Sequence, residues 1–203
     1  MPSAPKYLRP YHRACREHGD GFHSLLWASP ESQAARFQAL ARHCTFADTN
    51  VLDVGCGRAD LLDFLIARQT PPAHYTGIEA VAGLAEAARR KAHDNAIIIE
   101  DDFVANPARM LVGADAIVFC GSLNTLSEEQ FYDTLTIACG AATQTLAFNF
   151  LCSSQLAAAD WLTWHRRDRV LDFARRLCPS VVMDDSYVEG DCTIVMRKHE
   201  RAL

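Results

Sequence analysis

The chain has no apolar run long enough to cross a membrane, no C-x-x-C pair and no excess of positive charge. A membrane-spanning helix needs about 20 apolar residues, and residues 1–21 lack the apolar segment of a signal peptide. The net charge of −5 argues against a bare polyanion as the main partner, because nucleic-acid binders usually present a basic face. We therefore expect neither a membrane nor a nucleic acid as partner.

The eight cysteines are scattered along the chain, without the spacing of a zinc site or a disulfide framework. Several fall within predicted strands, where a thiol acts as a small buried hydrophobe. No metal site is predicted, and a reducing cytoplasm is the expected location. The chain has 203 residues, of which 49% are hydrophobic, and this is enough for one well-packed domain but short for two.

From residue 49 onward, apolar segments of strand length alternate with helical patterns, which predicts a parallel sheet with helices on both faces. Two strands at the end of the chain surround a tight turn and predict an antiparallel hairpin. The expected fold is therefore α/β, with a doubly wound, mostly parallel seven-stranded sheet and a C-terminal antiparallel hairpin. The predicted strands are 50–54, 74–79, 96–99, 114–120, 145–151, 180–187 and 192–197, and the predicted helices are 60 to before 71, 82–93, 128–139 and 167–177.

The segment 1–48 does not follow this alternation. Ser29 followed by Pro30 has the pattern of an N-cap and first helical position, which predicts a helix from Pro30 to about His43. About fifty residues can hardly build an independent core. We expect this segment to pack over the strand ends as a helical lid, and residues 49–203 to form the main domain.

The most informative stretch is VLDVGCGRAD at residues 51–60, a strand followed by two glycines and then a helix. A turn without side chains allows a ligand to approach backbone N–H groups and the N-terminus of the helix. In doubly wound sheets, ligands bind at the carboxyl ends of the strands. Four of the predicted strands end in or next to acidic, small or amide residues, among them Asp53, Glu79, Asp102 and Asn124.

Two details distinguish the possible ligands. A dinucleotide motif, G-x-G-x-x-G, would place a third glycine at Asp60, and a pyrophosphate would meet the carboxylate of Asp53. A cationic ligand reverses the second objection, because Asp53 and Asp60 suit an ammonium or sulfonium group. Glu79 is placed to accept hydrogen bonds from both hydroxyls of a ribose. Asp102 and the backbone of Phe103 are placed to bind an adenine edge, with the phenyl ring against its face.

The motifs VLDVGCG, YTGIEA, EDDF and VFCGSLN, in this order, resemble the class I S-adenosylmethionine-dependent methyltransferases over residues 50–198. One departure is Ala59, where the family often has a third glycine. The resemblance implies S-adenosyl-L-methionine as cofactor and Arg36 of the lid as a contact to its carboxylate, although an ordinary exposed helix arginine is the alternative. The cofactor site implied for the main domain comprises Asp53, Gly55, Cys56, Gly57, Glu79, Ala80, Asp102, Phe103, Gly121 and Ser122.

The acceptor is less well defined. The end of the fourth strand lacks the N/D-P-P-Y/F motif that resembling amide and adenine N-methyltransferases use. His165 and His23 are candidate general bases, but a histidine packed among tryptophans is the favoured interpretation of His165. The candidate substrate-binding residues are Asn124, Asn149, Trp27 and Trp161.

The expected function is methyl transfer to a small-molecule acceptor by in-line displacement, which needs alignment and exclusion of water more than a base. The pattern does not distinguish oxygen, nitrogen, carbon and sulfur acceptors, and it does not indicate an oligomeric state. One alternative is a protein that binds S-adenosylmethionine without transferring its methyl group, as a sensor or partner subunit. Another is a nicotinamide-dependent oxidoreductase.

Overall fold

A computed structural model describes residues 4–91 and 93–198. Its centre is a seven-stranded sheet with the strand order β3-β2-β1-β4-β5-β7-β6. The first five strands run parallel, and β7 runs antiparallel to both β5 and β6. The strands are β1 Asn50–Val54, β2 His74–Glu79, β3 Ala96–Glu100, β4 Ala116–Phe119, β5 Thr145–Leu151, β6 Ser180–Asp184 and β7 Asp191–Arg197.

Helices cover both faces of the sheet. Phe37, Leu62 and Ala88 belong to an apolar cluster on one face, whereas Phe131 and Val170 belong to a second cluster on the other. The doubly wound, mostly parallel sheet with its C-terminal hairpin is therefore confirmed. The helices are α1 Arg9–His18, α2 Pro30–His43, α3 Asp60–Ala67, α4 Ala82–Arg90, α5 Glu128–Ala141 and α6 Arg167–Leu177, with 3-10 turns at Phe22–Leu25 and Pro107–Met110.

Local capping explains why two helices begin where the sequence predicts. The Ser127 hydroxyl accepts a hydrogen bond from the backbone N–H of Gln130 at 3.2 Å, and the Gln130 side chain accepts one from the Ser127 N–H at 3.1 Å. Ser29 and Ser32 form the same reciprocal arrangement at the start of α2. Each box satisfies two N–H groups that a helix leaves unpaired.

Several predicted boundaries were wrong. The helix predicted to extend to residue 93 ends at Arg90, and residue 92 lies outside the described residues. The fourth strand is Ala116–Phe119, which is shorter than predicted. The apolar third strand is only partly buried, with Ile97 66% exposed, because β3 is an edge strand.

The closing hairpin has a longer connection than the tight turn that was predicted. The strand β6 ends at Asp184 because that carboxylate turns the chain, accepting hydrogen bonds from the backbone N–H and the hydroxyl of Ser186 at 3.0 and 2.7 Å. No helix in the described part of the chain is long and apolar enough to span a membrane.

Candidate functional site

A cavity lies at the carboxyl ends of the parallel strands, with the segment before β1 forming much of its wall. Its empty volume is about 1240 Å³, counting the open space at its mouth. Its walls combine apolar side chains with a few polar groups, which is the usual composition of a small-molecule site. Of the residues predicted for the site, the cavity is lined by Trp27, Arg36, Asp53, Gly55, Cys56, Gly57, Glu79, Ala80, Phe103, Gly121, Ser122, Asn124 and Trp161.

Steric limits explain the glycines of the turn after β1. Gly55 and Gly57 have φ of +76° and +57°, a region that side chains disfavour. A Cβ on Gly57 would lie 2.8 Å from the Leu25 side chain, and a Cβ on Gly55 would overlap the Ser122 side chain. The turn therefore brings bare backbone against the N-terminal segment and the end of β4.

The expectation that this turn offers its N–H groups to a ligand is wrong for three residues. The N–H groups of Gly55 and Cys56 donate to the carbonyl of Ile78 at 2.8 and 3.0 Å, and that of Gly57 donates to Glu79 Oε2 at 2.9 Å. These donors already hold the turn to β2. A phosphate would find fewer donors here than in a loop built to bind anions.

Asp53 lies at the inner wall of the cavity with only 2% of its surface exposed. Its Oδ2 accepts a hydrogen bond from the Tyr75 hydroxyl at 2.6 Å, whereas its Oδ1 is buried without a hydrogen-bond partner. Burial raises the pKa of Asp53 to about 7. The hydrogen bond from Tyr75 lowers this pKa, and the negative charges of Glu79 and Asp60 raise it. The site therefore contains a buried acceptor that lacks a donor.

Glu79 ends β2 and is also buried. Its two oxygens accept hydrogen bonds from the N–H groups of Gly57 and Val81 at 2.9 and 2.8 Å. Each oxygen retains a second lone pair, so the carboxylate is held in a fixed orientation and can still accept from a diol. Burial raises its pKa, although these backbone bonds oppose the shift.

Asp60 is already neutralised by cations of the protein. Lys91 Nζ lies 2.7 Å from its Oδ1, and Arg58 lies 3.1 Å from its Oδ2. Burial acts to raise the pKa of Asp60, but these two cations outweigh it and the pKa is lowered. Asp60 is thus paired within the protein, whereas Asp53 Oδ1 has no partner among the described residues.

Asp102 and Phe103 differ in their relation to the cavity. The Phe103 ring lines it and packs edge-on against Phe119, with ring centroids 5.8 Å apart. The Asp102 side chain does not line it, and accepts hydrogen bonds from the Tyr7 hydroxyl at 2.7 Å and the Val104 N–H at 2.9 Å. Asp102 thus connects the N-terminal segment to the end of β3.

Arg36 is buried, so the alternative of an exposed helix arginine is wrong. Its Nε donates to Asp191 Oδ2 at 2.7 Å, and a terminal nitrogen bonds to the same oxygen. Its guanidinium also lies over the Trp27 ring, 4.9 Å from the centroid. Arg36 lines the cavity while it joins α2 to β7.

The end of β4 forms the part of the cavity beside Trp27. Gly121 has φ +79°, and a Cβ there would lie 2.7 Å from the Trp27 ring. Asn149 is fully buried and does not line the cavity. Its Oδ1 accepts a hydrogen bond from the Gly121 N–H at 2.8 Å, so it holds a residue that does. Asn124 does line it, and its Oδ1 accepts one from the Leu151 N–H at 3.3 Å.

Neither candidate general base lines the cavity. His165 is stacked on Phe131 with ring centroids 3.9 Å apart, its Nε2 is buried without a partner, and burial lowers its pKa. This geometry matches the packing interpretation, but the aromatic partners are Phe131 and Tyr132 rather than the tryptophans that were predicted. His23 lies in the 3-10 turn, where its ring contacts His18 and Phe22.

Tyr7 and Tyr11 are two of the cavity residues that sequence reasoning missed. The Tyr11 hydroxyl is hydrogen-bonded to Thr125, and burial, followed by the charge of Glu79, raises its pKa well above the ordinary value. The spacing of the two tyrosines, four residues apart, is the available signal, because it places both on one side of a helical turn.

Comparison with known proteins identifies the domain. Residues 51–141 match the family model described as a methyltransferase domain. The chain contains a methyltransferase domain. The matched residues include the glycine turn, Glu79, Asp102 and Gly121. The comparison with curated proteins found no match. The prediction of a class I methyltransferase that uses S-adenosylmethionine is confirmed.

Solved structures share the fold of this methyltransferase. DhpI in complex with SAM and HEP has a TM-score of 0.73 at 14% identity, covering 95% of this chain and 96% of that one. Magnesium protoporphyrin IX methyltransferase from Synechocystis PCC 6803, with bound SAM, has a TM-score of 0.65 at 13% identity, covering 98% and 100%. The small RNA methyltransferase HEN1 has a TM-score of 0.66 at 17% identity, covering 87% of this chain and 26% of that one. At these identities the likeness shows the fold alone.

In the described residues, no group of three or more His, Cys, Asp or Glu side chains has a geometry that could hold a metal ion.

Proposed function

We propose that this methyltransferase transfers the methyl group of S-adenosylmethionine to an uncharged small molecule held in the same cavity. The observation that carries the proposal is Asp53, whose Oδ1 is buried at the cavity wall without a donor. An unpaired buried carboxylate oxygen is costly. The ammonium group of S-adenosylmethionine supplies the missing donor and opposite charge, whereas the pyrophosphate of a nicotinamide cofactor would add a like charge.

The remaining cofactor contacts follow from groups whose orientations are already fixed. We propose that Glu79 accepts hydrogen bonds from the ribose hydroxyls and that the Phe103 ring packs against the adenine. Bound S-adenosylmethionine supplies a methyl carbon activated by its sulfonium. The protein then has to align the acceptor with that carbon and exclude water, effects that together contribute up to ~7–11 kcal/mol in favourable systems.

The charges of the cavity favour an uncharged acceptor. Among the described residues that line it, the charged side chains are Arg36, Asp53, Asp60 and Glu79. Arg36 is paired with Asp191, so this set includes no cation available to a phosphate or carboxylate acceptor. An RNA acceptor, like that named for HEN1, would need basic side chains along its path.

The wall contributed by β5 and the following loop is apolar. It consists of Leu151, Leu156, Trp161 and Leu162, with the amide of Asn124 beside it. These side chains suit the body of a small apolar molecule, and the N-terminal segment, with Leu25, Leu26 and Trp27, lines the other side of the cavity. We propose that this segment acts as the lid that excludes water. Eight free cysteines fit a reducing cytoplasm as the location.

The test is methyl transfer with S-adenosylmethionine labelled in its methyl group. The purified protein is incubated with small apolar thiols, phenols and aromatic amines, which are uncharged at neutral pH, and, separately, with RNA. The products are identified by mass spectrometry. We expect label in a small molecule and none in RNA. Label in RNA alone would refute the acceptor class. Binding of the cofactor without transfer to any acceptor, together with a stable partner, would favour the sensor alternative.

Two tryptophans provide a matched pair of variants. Trp161 lines the cavity, whereas Trp164 does not and is 44% exposed. We expect Trp161→Ala to raise the KM for the acceptor several-fold and to leave the affinity for S-adenosylhomocysteine unchanged. Trp164→Ala should change neither. Equal effects of the two variants on KM would remove the loop after β5 from the acceptor site.

A further inference from the structure

Tyr75 is a buried tyrosine that does not line the cavity but contacts one residue that does. It lies in β2, beside β1, with 1% of its surface exposed. Its hydroxyl donates a 2.6 Å hydrogen bond to Asp53 Oδ2. A tyrosine in the middle of an apolar layer needs a partner for its hydroxyl, and here that partner is the carboxylate at the cavity wall.

This hydrogen bond divides the two oxygens of Asp53. Oδ2 is held by Tyr75, and Oδ1 has no partner among the described residues. The bond therefore restricts rotation of the carboxylate and leaves a specific oxygen for a ligand. Because its hydroxyl donates to the charged oxygen, Tyr75 also favours the ionised form of Asp53.

The other groups around Asp53 oppose ionisation. Glu79 at the end of β2 and Asp60 at the start of α3 act through their negative charges, and Asp60 is screened by Lys91 and Arg58. Two buried thiols, Cys56 and Cys120, also face Asp53 and are neutral, because burial raises their pKa. With these groups in place, both forms of Asp53 are populated near neutral pH, its pKa being about 7.

We propose that Tyr75 is a positioning residue for cofactor binding, which orients Asp53 so that Oδ1 accepts the ammonium group of S-adenosylmethionine. The proposal rests on the proposed function, since it assumes that cofactor. Its consequence is that binding near neutral pH is coupled to loss of a proton. The protonated Asp53 releases its proton to solvent, and the carboxylate pairs with the ammonium.

The experiment measures the affinity for S-adenosylhomocysteine by calorimetry between about pH 6 and pH 8. This probe keeps the ammonium group but lacks the sulfonium charge, so the two charges are not confused. For the unmodified protein we expect affinity to increase with pH, with a midpoint near 7. For Tyr75→Phe we expect a roughly fivefold loss of affinity at pH 7, because the midpoint moves up by about one pH unit, and recovery of most of the loss at higher pH.

Tyr132→Phe is the matched control. Tyr132 is a partly buried tyrosine of α5 whose ring packs on Phe131, Phe173 and His165, and it does not line the cavity. It should bind like the unmodified protein at every pH. Asp53→Asn should bind weakly with an affinity that does not change with pH, because it has no carboxylate to titrate.

A second measurement needs no variant and covers the case in which Tyr75→Phe does not fold. Calorimetry of the unmodified protein in buffers of different ionisation enthalpy counts the protons released on binding. We expect release at about pH 6 and almost none at about pH 8. Binding with no proton release and a flat pH profile, or a Tyr75→Phe profile equal to that of the unmodified protein, would overturn the role of Tyr75. The absence of any binding would instead refute the proposed function.

Discussion

Arg36 of α2 and Asp191 at the start of β7 form an ion pair in which both side chains are buried. The Asp191 carboxylate also accepts a hydrogen bond from the Tyr187 hydroxyl. The pair connects the N-terminal segment to the C-terminal hairpin, and Trp27 lies against the guanidinium. The position of the N-terminal segment thus depends on residues from opposite ends of the chain.

Arg36→Ala should lower the free energy of unfolding by about 3–5 kcal/mol, because it leaves the Asp191 charge buried and unpaired. Arg42→Ala is the control, since Arg42 is half exposed and pairs with Asp184. Arg42→Ala should lower the free energy of unfolding by at most about 1 kcal/mol. Urea unfolding at neutral pH measures both. An equal cost for the two variants would contradict the structural importance of the buried pair.

Glu79→Ala should weaken S-adenosylhomocysteine binding roughly tenfold or more, since two charge-assisted hydrogen bonds to the ribose are lost. Glu79→Ala should weaken the binding of 5′-methylthioadenosine to a similar degree, because this ligand keeps the ribose but lacks the amino acid part. Asp53→Asn should affect only the binding of S-adenosylhomocysteine, because 5′-methylthioadenosine has no ammonium group for Asp53 to accept.

Glu86→Ala is the control for Glu79→Ala, because it removes a glutamate on the exposed face of α4. It should leave the affinity for both ligands unchanged. Calorimetry of each variant with each ligand yields the comparison. If Glu79→Ala kept full affinity for both ligands, Glu79 would not be a ribose residue.

Gly121→Ala should destabilise the protein more than Gly113→Ala. Both glycines have positive φ, +79° and +71°, so both variants bear the same backbone strain. A Cβ at Gly121 would meet the Trp27 ring at 2.7 Å, whereas nothing lies within 4 Å of one at Gly113. The difference in melting temperature between the variants isolates the contact with Trp27. Identical melting temperatures would show that Trp27 moves aside without cost.

Asp184 should make the stability of the protein depend on pH in the acidic range. Burial acts to raise its pKa, but hydrogen bonds from Ser186 and His43 and the charge of Arg42 lower it well below the ordinary value. A depressed pKa stabilises the folded state above the ordinary pKa of about 4, and this contribution is lost as pH falls through the lower, folded-state value.

Asp184→Asn should therefore cost about 1–3 kcal/mol at pH 7 and progressively less below about pH 4. Asp185→Asn, at a more exposed neighbouring position, is the control. Urea unfolding across this range provides the measurement. A cost for Asp184→Asn that is the same at every pH would contradict the direction of the shift.

Much of the fold could be predicted from the sequence because its signals are local. The helix α2 and the strands β1, β2 and β5 have the predicted boundaries, since serine caps and apolar runs of strand length act within a few residues. The edge position of β3 could not be predicted in this way, because neighbouring strands decide which apolar residues are exposed.

The site shows the same division. Asp53 and Glu79 follow directly from their positions at strand ends. The pairing of Arg36 with Asp191 spans 155 positions in the sequence, and the bond between Tyr75 and Asp53 depends on strand register. Asp191 and Tyr75 could therefore not be predicted as site residues, since no local pattern in the sequence connects them to the cavity.

The central claim is that negative side chains at the carboxyl edge of the sheet bind a cofactor with a cationic amino acid part. The most direct measurement is calorimetry of the unmodified protein with S-adenosylhomocysteine and, in parallel, with NADH. We predict saturable binding of one S-adenosylhomocysteine per chain and no binding of NADH. Saturable binding of NADH without binding of S-adenosylhomocysteine would contradict the account.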